Sequence, residues 1–291
     1  VQYRFPNEEA GEDAASQKLF LSHKDMLTAL AVSPVPTAAG GSFVASADCS
    51  SDPKVMLWTA GKGASQLKSI LQGFKAPVFA LDFSPDGSKL LSVSKDAGFT
   101  VSVHDAASGL RLFNACANET VFGAKWCRSP RGSASGGSFA LATAKGIVFY
   151  AESGLSYEAR KGVAGSKAKA EALVSLQAMA GAETMAAGGQ SGALYKYEGR
   201  NVSECVAAHK APVTVLAFLE AALNTAGADG DRLFSGSMDA TVKIWDRRGM
   251  RRSLQCTHTI QPNLGAVFDV AFDPRDANRL ALGLESGQVA L

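Results

Sequence analysis

A unit of alternating strands recurs six times along this chain of 291 residues. In each copy a strand of alternating apolar and polar residues leads to a small-residue strand, a polar turn and another alternating strand. The first strands start at residues 26, 78, 121, 171, 213 and 267. A repeat of about 40–50 residues built from strands of period two is typical of β-propeller blades. The pattern therefore predicts an all-β fold with six visible blades.

A fourth strand can be placed in most copies, which is the number of strands that a propeller blade requires. The clearest candidates are residues 65–71, 110–115 and 201–208. The stretch "GSKAKAEALVSLQAMAGAE" has a helix-forming composition, but its centre aligns with the first strand of the fourth copy. We therefore expect no long helix to interrupt the sheets.

Composition narrows the class of partner. The formal net charge is +2, which gives no argument for an obligatory nucleic-acid or membrane partner. No apolar run approaches the ~18 residues expected of a membrane-spanning helix. The five cysteines are scattered, without a C-x-x-C pair, which favours reduced thiols in a cytosolic protein.

Both ends of the chain are interpreted as lying inside a longer polypeptide. The chain begins with Val1 and has no basic-then-apolar leader, and its last residues, "SGQVAL", stop within a predicted strand. Residues 1–22 are predicted to be the last strands of an incomplete blade. Residues 23–291 are predicted to form six consecutive blades, the last of them truncated. A ring of these blades would need material from outside both ends to close.

The fifth copy shows the most specific motif. It begins with "AHKAPV" and continues to "FSGSMDATVKIWD" (234–246), and this arrangement resembles the WD-repeat family. In that family a His, a Ser or Thr, an Asp and a Trp form a hydrogen-bonded relay within one blade. The resemblance assigns this relay to His209, Ser237, Asp239 and Trp245. Such a relay has a physical purpose, because a buried imidazole or carboxylate is costly unless it finds a partner.

The other copies depart from this motif to different degrees. The first has His23 and Trp58, but its turn, "SSDPK", is interrupted by proline. The second has Phe74 where His is usual, keeps Asp96, and has His104 in place of Trp. The third, fourth and sixth copies lack both the His before the first strand and the Trp that closes the third strand. We therefore expect a complete relay only in the fifth copy.

The same residue types could also suggest a catalytic Ser-His-Asp triad, but a triad needs an exposed nucleophile and oxyanion donors. The chain has no phosphate-binding loop, no H-E-x-x-H and no G-x-S-x-G. Its histidines lie in distant segments, and its innermost strands, such as "TVLAF", bring no acids or histidines together. The sequence thus predicts a non-enzymatic protein without a catalytic, cofactor-binding or metal site.

The order of the irregular copies resembles the N-terminal propeller of the echinoderm microtubule-associated protein-like family. The resemblance rests on "SHKDMLTALAVSP", "GFKAPVFALDFSPDG", "NETVFGAKW", "AAGGQSGALYKYEGRNV" and "AHKAPVTVL" in that order, and it covers nearly the whole chain. Members carry two atypical propellers in tandem. The resemblance implies a scaffold that associates with microtubules, with tubulin or axonemal proteins as partners. It also implies a place in the cytoplasm and cytoskeleton, including the axoneme of a cilium or flagellum. The alternative is a WD-repeat adaptor that binds a peptide of another protein in a ligase or trafficking complex.

One turn is a candidate for contact with tubulin. The stretch "DRRGMRRS" (246–253) follows the third strand of the fifth copy and carries Arg247, Arg248, Arg251 and Arg252. Arginine side chains suit carboxylates, and tubulin is the acidic partner that the resemblance implies. The alternative is a solvated loop, because charge clusters often only increase solubility. A second basic stretch, residues 160–169, has the same two interpretations.

Overall fold

The alternating segments form strands, and each copy folds into one antiparallel sheet. A computed structural model describes residues 23, 25–37, 41–61, 66–128, 137–166, 168–179, 183–219, 232–246, 254–261, 265–272 and 280–290. In every sheet the strands lie in the order in which they occur along the chain. The predicted all-β fold and the predicted fourth strands are confirmed.

Five sheets have four strands and the sixth has three within the described residues. The first two sheets contain β1 (Leu27–Val32), β2 (Ser42–Asp48), β3 (Val55–Ala60), β4 (Gln66–Leu71), β5 (Val78–Phe83), β6 (Lys89–Ser94), β7 (Thr100–Asp105) and β8 (Arg111–Cys116). The next two contain β9 (Val121–Trp126), β10 (Ser138–Thr143), β11 (Gly146–Ser153), β12 (Ser156–Lys161), β13 (Leu173–Ala178), β14 (Thr184–Gly189), β15 (Ala193–Glu198) and β16 (Asn201–Ala207). The last two contain β17 (Val213–Leu219), β18 (Arg232–Ser237), β19 (Val242–Asp246), β20 (Gln255–Ile260), β21 (Val267–Phe272), β22 (Leu280–Leu284) and β23 (Val289–Ala290).

The six sheets are the blades of a β-propeller, and we number them one to six along the chain. The first strand of each blade packs against the first strand of the next blade, which makes β1, β5, β9, β13, β17 and β21 the innermost strands. The hydrophobic core is divided among the seams between consecutive blades. At the seam between blades one and two, for example, Ala47 and Leu57 pack with Val78 and Leu81. Burial of apolar faces between sheets is the main source of stability in such a fold.

All six innermost strands carry a β-bulge at the same place. In β5, Val78 lies opposite Ser94 and Ala80 lies opposite Val93, so Phe79 is the extra residue. The equivalent residues, which we call the bulge residues, are Thr28, Phe79, Phe122, Val174, Thr214 and Phe268. A bulge redirects the side chain of the extra residue. The threonines use this freedom to reach the next blade, since Thr28 donates to the carbonyl oxygen of Val78 at 2.6 Å.

Within the described residues, the ring does not close between blades six and one. Among the described strands, packing joins each blade to the next along the chain, and no comparable packing joins blade six to blade one. The five apolar clusters of the described core each combine residues of two consecutive blades. The described blades therefore form a series in which packing joins consecutive blades.

The described part of the chain contains no helix, and so it contains none that could cross a membrane. All five cysteines are free thiols. Burial raises the pKa of the Cys127 thiol to about 12, which keeps this group protonated at neutral pH.

Candidate functional site

The fifth blade contains a continuous chain of hydrogen bonds from an indole to a carboxylate. The Nε1–H of Trp245 donates to Ser235 Oγ at 2.8 Å, and Ser235 Oγ lies 2.7 Å from Nε2 of His209. On its other side, His209 Nδ1 lies 3.2 Å from Asp239 Oδ2. Every group is satisfied if Ser235 donates to Nε2 and the imidazole donates from Nδ1. The chain ties the loop before β17 to the β18–β19 turn and to β19.

The hydroxyl in this relay belongs to Ser235 and not to Ser237, which corrects the assignment made from the sequence. Ser237 instead donates to the carbonyl oxygen of Ala211 at 3.0 Å and accepts from the backbone N–H of Asp239. The two serines lie two residues apart and so face the same side of β18. Ser235 lies opposite Lys243, which makes Trp245 its diagonal neighbour. This geometry places the indole next to Ser235.

Burial and hydrogen bonding set the charges in the relay. Burial lowers the pKa of His209 despite the opposing effect of the Asp239 carboxylate, so the imidazole is neutral at pH 7. Burial also disfavours the charged form of Asp239, but hydrogen bonds from Thr241 and from the backbone N–H of Lys210 outweigh it and lower its pKa. Ser235 is fully buried, so no substrate can reach its hydroxyl. This Ser-His-Asp arrangement is therefore a structural tie.

The first blade contains a complete relay as well, which contradicts the expectation of a single one. His23 Nε2 lies 2.6 Å from Ser46 Oγ, and Trp58 Nε1–H donates to the same oxygen at 2.9 Å. His23 Nδ1 lies 2.8 Å from Asp48 Oδ2. The carboxylate comes from the last residue of β2 instead of from the turn. Pro53 in the turn therefore does not disrupt the tie.

The second blade replaces the relay with a contact between two rings. The centroids of Phe74 and His104 lie 6.1 Å apart, and His104 takes the position of the indole because it lies opposite Leu90. Its Nδ1 is buried and has no hydrogen-bond partner, while Nε2 faces the guanidinium of Arg111 at 3.5 Å. Burial, with a further contribution from Arg111, lowers the pKa of His104 to about 4. The predicted aspartate, Asp96, accepts from the backbone of its own turn at Gly98 and Thr100.

The third and fourth blades use a glutamate from the loop before the first strand. In the fourth blade Glu171 accepts from the backbone N–H and the hydroxyl of Ser191 at 2.7 and 2.8 Å. It also accepts from the phenol of Tyr195, whose pKa is raised by burial and by this carboxylate. In the third blade Thr143 donates to Glu119 at 3.1 Å. The WD motif gives no signal for either glutamate, but each lies two residues before the first strand of its blade.

The relays secure one face of the ring, which we call the loop face because it bears the fourth-to-first loops and second-to-third turns. Its exposed lysines in blades two to five are Lys75, Lys95, Lys145, Lys169 and Lys210. Among the described residues, none of the five forms an ion pair. The nearby carboxylates of Asp96, Glu119, Glu171 and Asp239 are instead held by hydrogen bonds within their blades. The loop face thus presents unpaired positive charge.

Aromatic bulge residues lie at the same end of the innermost strands. Phe122 is 42% exposed and Phe268 is 49% exposed, although both occupy strands. Phe79 is half-buried against Phe99, with the ring centroids 6.2 Å apart. Met238, in the β18–β19 turn, is 50% exposed. The loop face therefore combines lysines with apolar side chains near its inner edge.

The arginines that were predicted to contact tubulin lie outside the described residues. They are Arg247, Arg248, Arg251 and Arg252. The segment joins β19 to β20, and the described third-to-fourth turns lie at the face opposite the loop face. Within the described residues, no group of three or more His, Cys, Asp or Glu side chains could hold a metal ion.

Comparisons with known proteins agree with this geometry. The WD40 family model, described as WD domain, G-beta repeat, matches residues 65–101 and 202–246. Each match begins at the fourth strand of one blade and ends in the third strand of the next. A solved structure, the β-propeller domain of Cps50 (Swd1) from Myceliophteria thermophila, is 17% identical with a TM-score of 0.67. The alignment covers 90% of this chain and 81% of that chain. This likeness shows the β-propeller fold, and the family-model matches show WD40 repeats at residues 65–101 and 202–246.

Proposed function

We propose that this WD-repeat propeller is a non-enzymatic scaffold that associates with microtubules. The observation that supports this proposal is the charge of the loop face. Five lysines are exposed there, while the neighbouring carboxylates are held by hydrogen bonds within the blades. The tails of tubulin are acidic, so an unpaired basic surface is complementary to them. The order of the irregular copies, which resembles the echinoderm microtubule-associated protein-like family, supplies the choice of this partner.

The mechanism is rigid presentation of loops. Sheets packed face to face hold the loop face in place, and the relays fix the loops to the strands beneath them. Each exposed lysine contributes only about 0.2–1 kcal/mol and is screened by salt, so several must act together. This proposal extends to a place on the cytoskeleton, including the axoneme, and to a longer chain with a second propeller.

The second candidate is an adaptor that binds a peptide of another protein. The exposed rings of Phe122 and Phe268 favour it, because exposed apolar side chains rimmed by polar residues mark interaction sites. A peptide with an apolar side chain could bury that side chain against these rings. Charge would then contribute less to its affinity than apolar contact.

Co-sedimentation with microtubules tests the proposal and identifies the face. One variant changes Lys75, Lys95, Lys145 and Lys210 to Glu, and a matched variant changes Arg247, Arg248, Arg251 and Arg252 to Glu. Both alter the net charge equally, so a difference between them reports position instead of total charge. We expect the lysine variant to lose binding at low salt with an unchanged melting temperature.

Microtubules stripped of their acidic tails by subtilisin should bind the wild-type chain as weakly as intact microtubules bind the lysine variant. Loss of binding only in the arginine variant would move the contact to the opposite face. Equal binding by both variants and the wild type would refute an electrostatic contact. If Phe122→Ala then weakened capture of a peptide while leaving microtubule binding unchanged, the adaptor function would be favoured.

A further inference from the structure

A phenylalanine occupies a left-handed backbone position in the second-to-third turn of blade two. Phe99 has a φ of 50° and lies two residues before Val101, the first residue of its third strand to pair with the second strand. In blades four, five and six the residue at this position is small: Gly192, Ala240 and Gly287 have φ angles of 89°, 61° and 77°. A bulky side chain is strained at such angles, whereas glycine adopts them freely. Strained residues of this kind concentrate at functional sites.

The ring of Phe99 is held at the surface by a second ring. It meets Phe79 edge-on, with the ring centroids 6.2 Å apart and the ring planes at 87°. Both rings pack against the apolar cluster in the seam between blades two and three, and both remain partly exposed. The pair therefore forms an apolar surface at the loop-face end of that seam.

Phe79 differs from the bulge residues of blades one and five in what it does for the ring. Thr28 and Thr214 use their hydroxyls to donate to carbonyl oxygens of the next blade. Phe79 has no group that could form this tie. Phe122 has none either, and it directly follows Val121, which belongs to the cluster on which Phe79 packs. Phe122 is 42% exposed, so these two bulge residues present rings at the surface instead of hydrogen bonds between blades.

Three exposed lysines lie in the loop and turns around this surface. Lys75 is in the loop before β5, Lys95 is in the same turn as Phe99, and Lys145 is in the second-to-third turn of blade three. No ion pair of the described residues includes any of them. An apolar surface flanked by unpaired cations is complementary to an apolar side chain that lies among carboxylates.

We propose that the phenylalanines bind one apolar side chain of an acidic peptide segment, while the lysines pair with carboxylates on either side of it. We call this place the seam subsite, and its residues are Phe79, Phe99, Phe122, Lys75, Lys95 and Lys145. The inference rests on the proposed function, whose partner is an acidic tail. It adds a basis for selection, because charge alone does not distinguish one acidic segment from another, whereas the rings favour a segment with an apolar side chain.

Fluorescence anisotropy with the full chain tests the seam subsite. Two short labelled peptides rich in glutamate have the same charge, and one carries a leucine at its centre where the other carries alanine. The wild type should bind the leucine peptide about tenfold more tightly, as expected for partial burial of a leucine side chain. Phe99→Gly and Phe122→Ala should each abolish most of this preference. Leu110→Ala is the matched control, since Leu110 is 67% exposed in a third-to-fourth turn on the opposite face.

Thermal melts separate binding from packing. Phe99→Gly should keep a melting temperature close to that of the wild type, because glycine relieves the backbone strain while the ring contact is lost. A lower melting temperature with an unchanged preference for leucine would overturn the proposal, because Phe99 would then serve packing alone. Equal binding of the two peptides by the wild type, or binding of neither, would also overturn it. Co-sedimentation with microtubules decides the proposed function separately, since an electrostatic contact can hold without any preference for leucine.

Discussion

Asp48 and Ser237 occupy the same ladder position in their blades, Asp48 opposite Leu27 and Ser237 opposite Val213. In the first blade that position supplies the relay carboxylate, which lies 2.8 Å from His23. In the fifth blade it supplies a hydroxyl outside the relay, and the carboxylate comes from Asp239 in the turn. Two different sequences therefore build the same tie between a loop and a strand.

We expect Ser235→Ala to destabilise the protein more than Ser237→Ala. The change at Ser235 leaves the Trp245 N–H and His209 Nε2 buried without their partner, at a cost of about 1–3 kcal/mol. Ser237→Ala removes a hydroxyl whose partners are backbone groups, the carbonyl oxygen of Ala211 in the loop before β17 and the N–H of Asp239 in the β18–β19 turn. Urea unfolding curves of the two variants measure the difference. A larger loss for Ser237→Ala would restore the assignment made from the sequence.

His23→Ala should cost about as much as His209→Ala, about 1–3 kcal/mol each. The sequence predicted a complete relay only in the fifth copy, but the structure shows the corresponding contacts around His23. Thermal melts of both variants provide the measurement. Asp52→Ala, in the turn between β2 and β3, is the control. A melting temperature that falls in His209→Ala and stays constant in His23→Ala would contradict the first-blade relay.

The second blade should make stability depend on pH. The pKa of His104 is about 4 in the folded protein against 6.5 for the ordinary group, so the unfolded chain binds more protons between these values. Stability should therefore fall as the pH drops from about 6.5 towards 4, by about 3 kcal/mol at most from this residue. His104→Phe removes the titrating group and keeps the ring contact with Phe74. Its stability at pH 7 should stay within about 1 kcal/mol of the wild type.

Urea unfolding at several pH values between 7.5 and 4.5 tests whether His104 makes the stability depend on pH. The loss of stability on acidification should be smaller in His104→Phe than in the wild type. Some loss will remain, because burial also lowers the pKa of His209. Identical pH profiles would show that His104 is protonated in the folded protein without cost.

In the fourth blade, Glu171→Ala should cost about 1–3 kcal/mol, because the hydroxyl of buried Tyr195 and the N–H of Ser191 lose their acceptor. Glu158→Ala is the matched control, since the carboxylate of Glu158 is exposed and pairs with the exposed guanidinium of Arg160. Differential scanning calorimetry should show a lower midpoint for the first variant and an unchanged one for the second. Equal midpoints would mean that Glu171 is not a structural tie.

The fold could be predicted from the sequence because period-two alternation and turn residues recur in each copy. The expected first strands begin within two residues of the observed ones, as at Val78 and Val213. The bulge residues could not be predicted, since Phe79 and Phe122 read as ordinary members of an apolar alternation. Only the pairing with the second strand shows that they are extra residues.

The relay was only partly predictable for a related reason. Ser235 and Ser237 share a face, so alternation cannot separate them, and the diagonal distance to Trp245 decides. Asp48 and Glu171 are the carboxylates that satisfy buried groups in their own blades, and they come from different places in the repeat, the end of β2 and the loop before β13. A motif defined by spacing therefore misses them, although the need to satisfy buried polar groups applies equally to all the blades.

The separation of the core into seams has a consequence for how the molecule opens. Because each blade touches only its predecessor and successor, the described structure behaves as a one-dimensional array, in which an end unit is held by one interface and an inner unit by two. Amide hydrogens of β2 and β22 should exchange early, by fraying of the two end blades of the described series. Those of β10 and β14 should exchange more slowly, because two seams must be disrupted before they are exposed. The order of exchange along the chain would then follow distance from the two ends of the described series of blades.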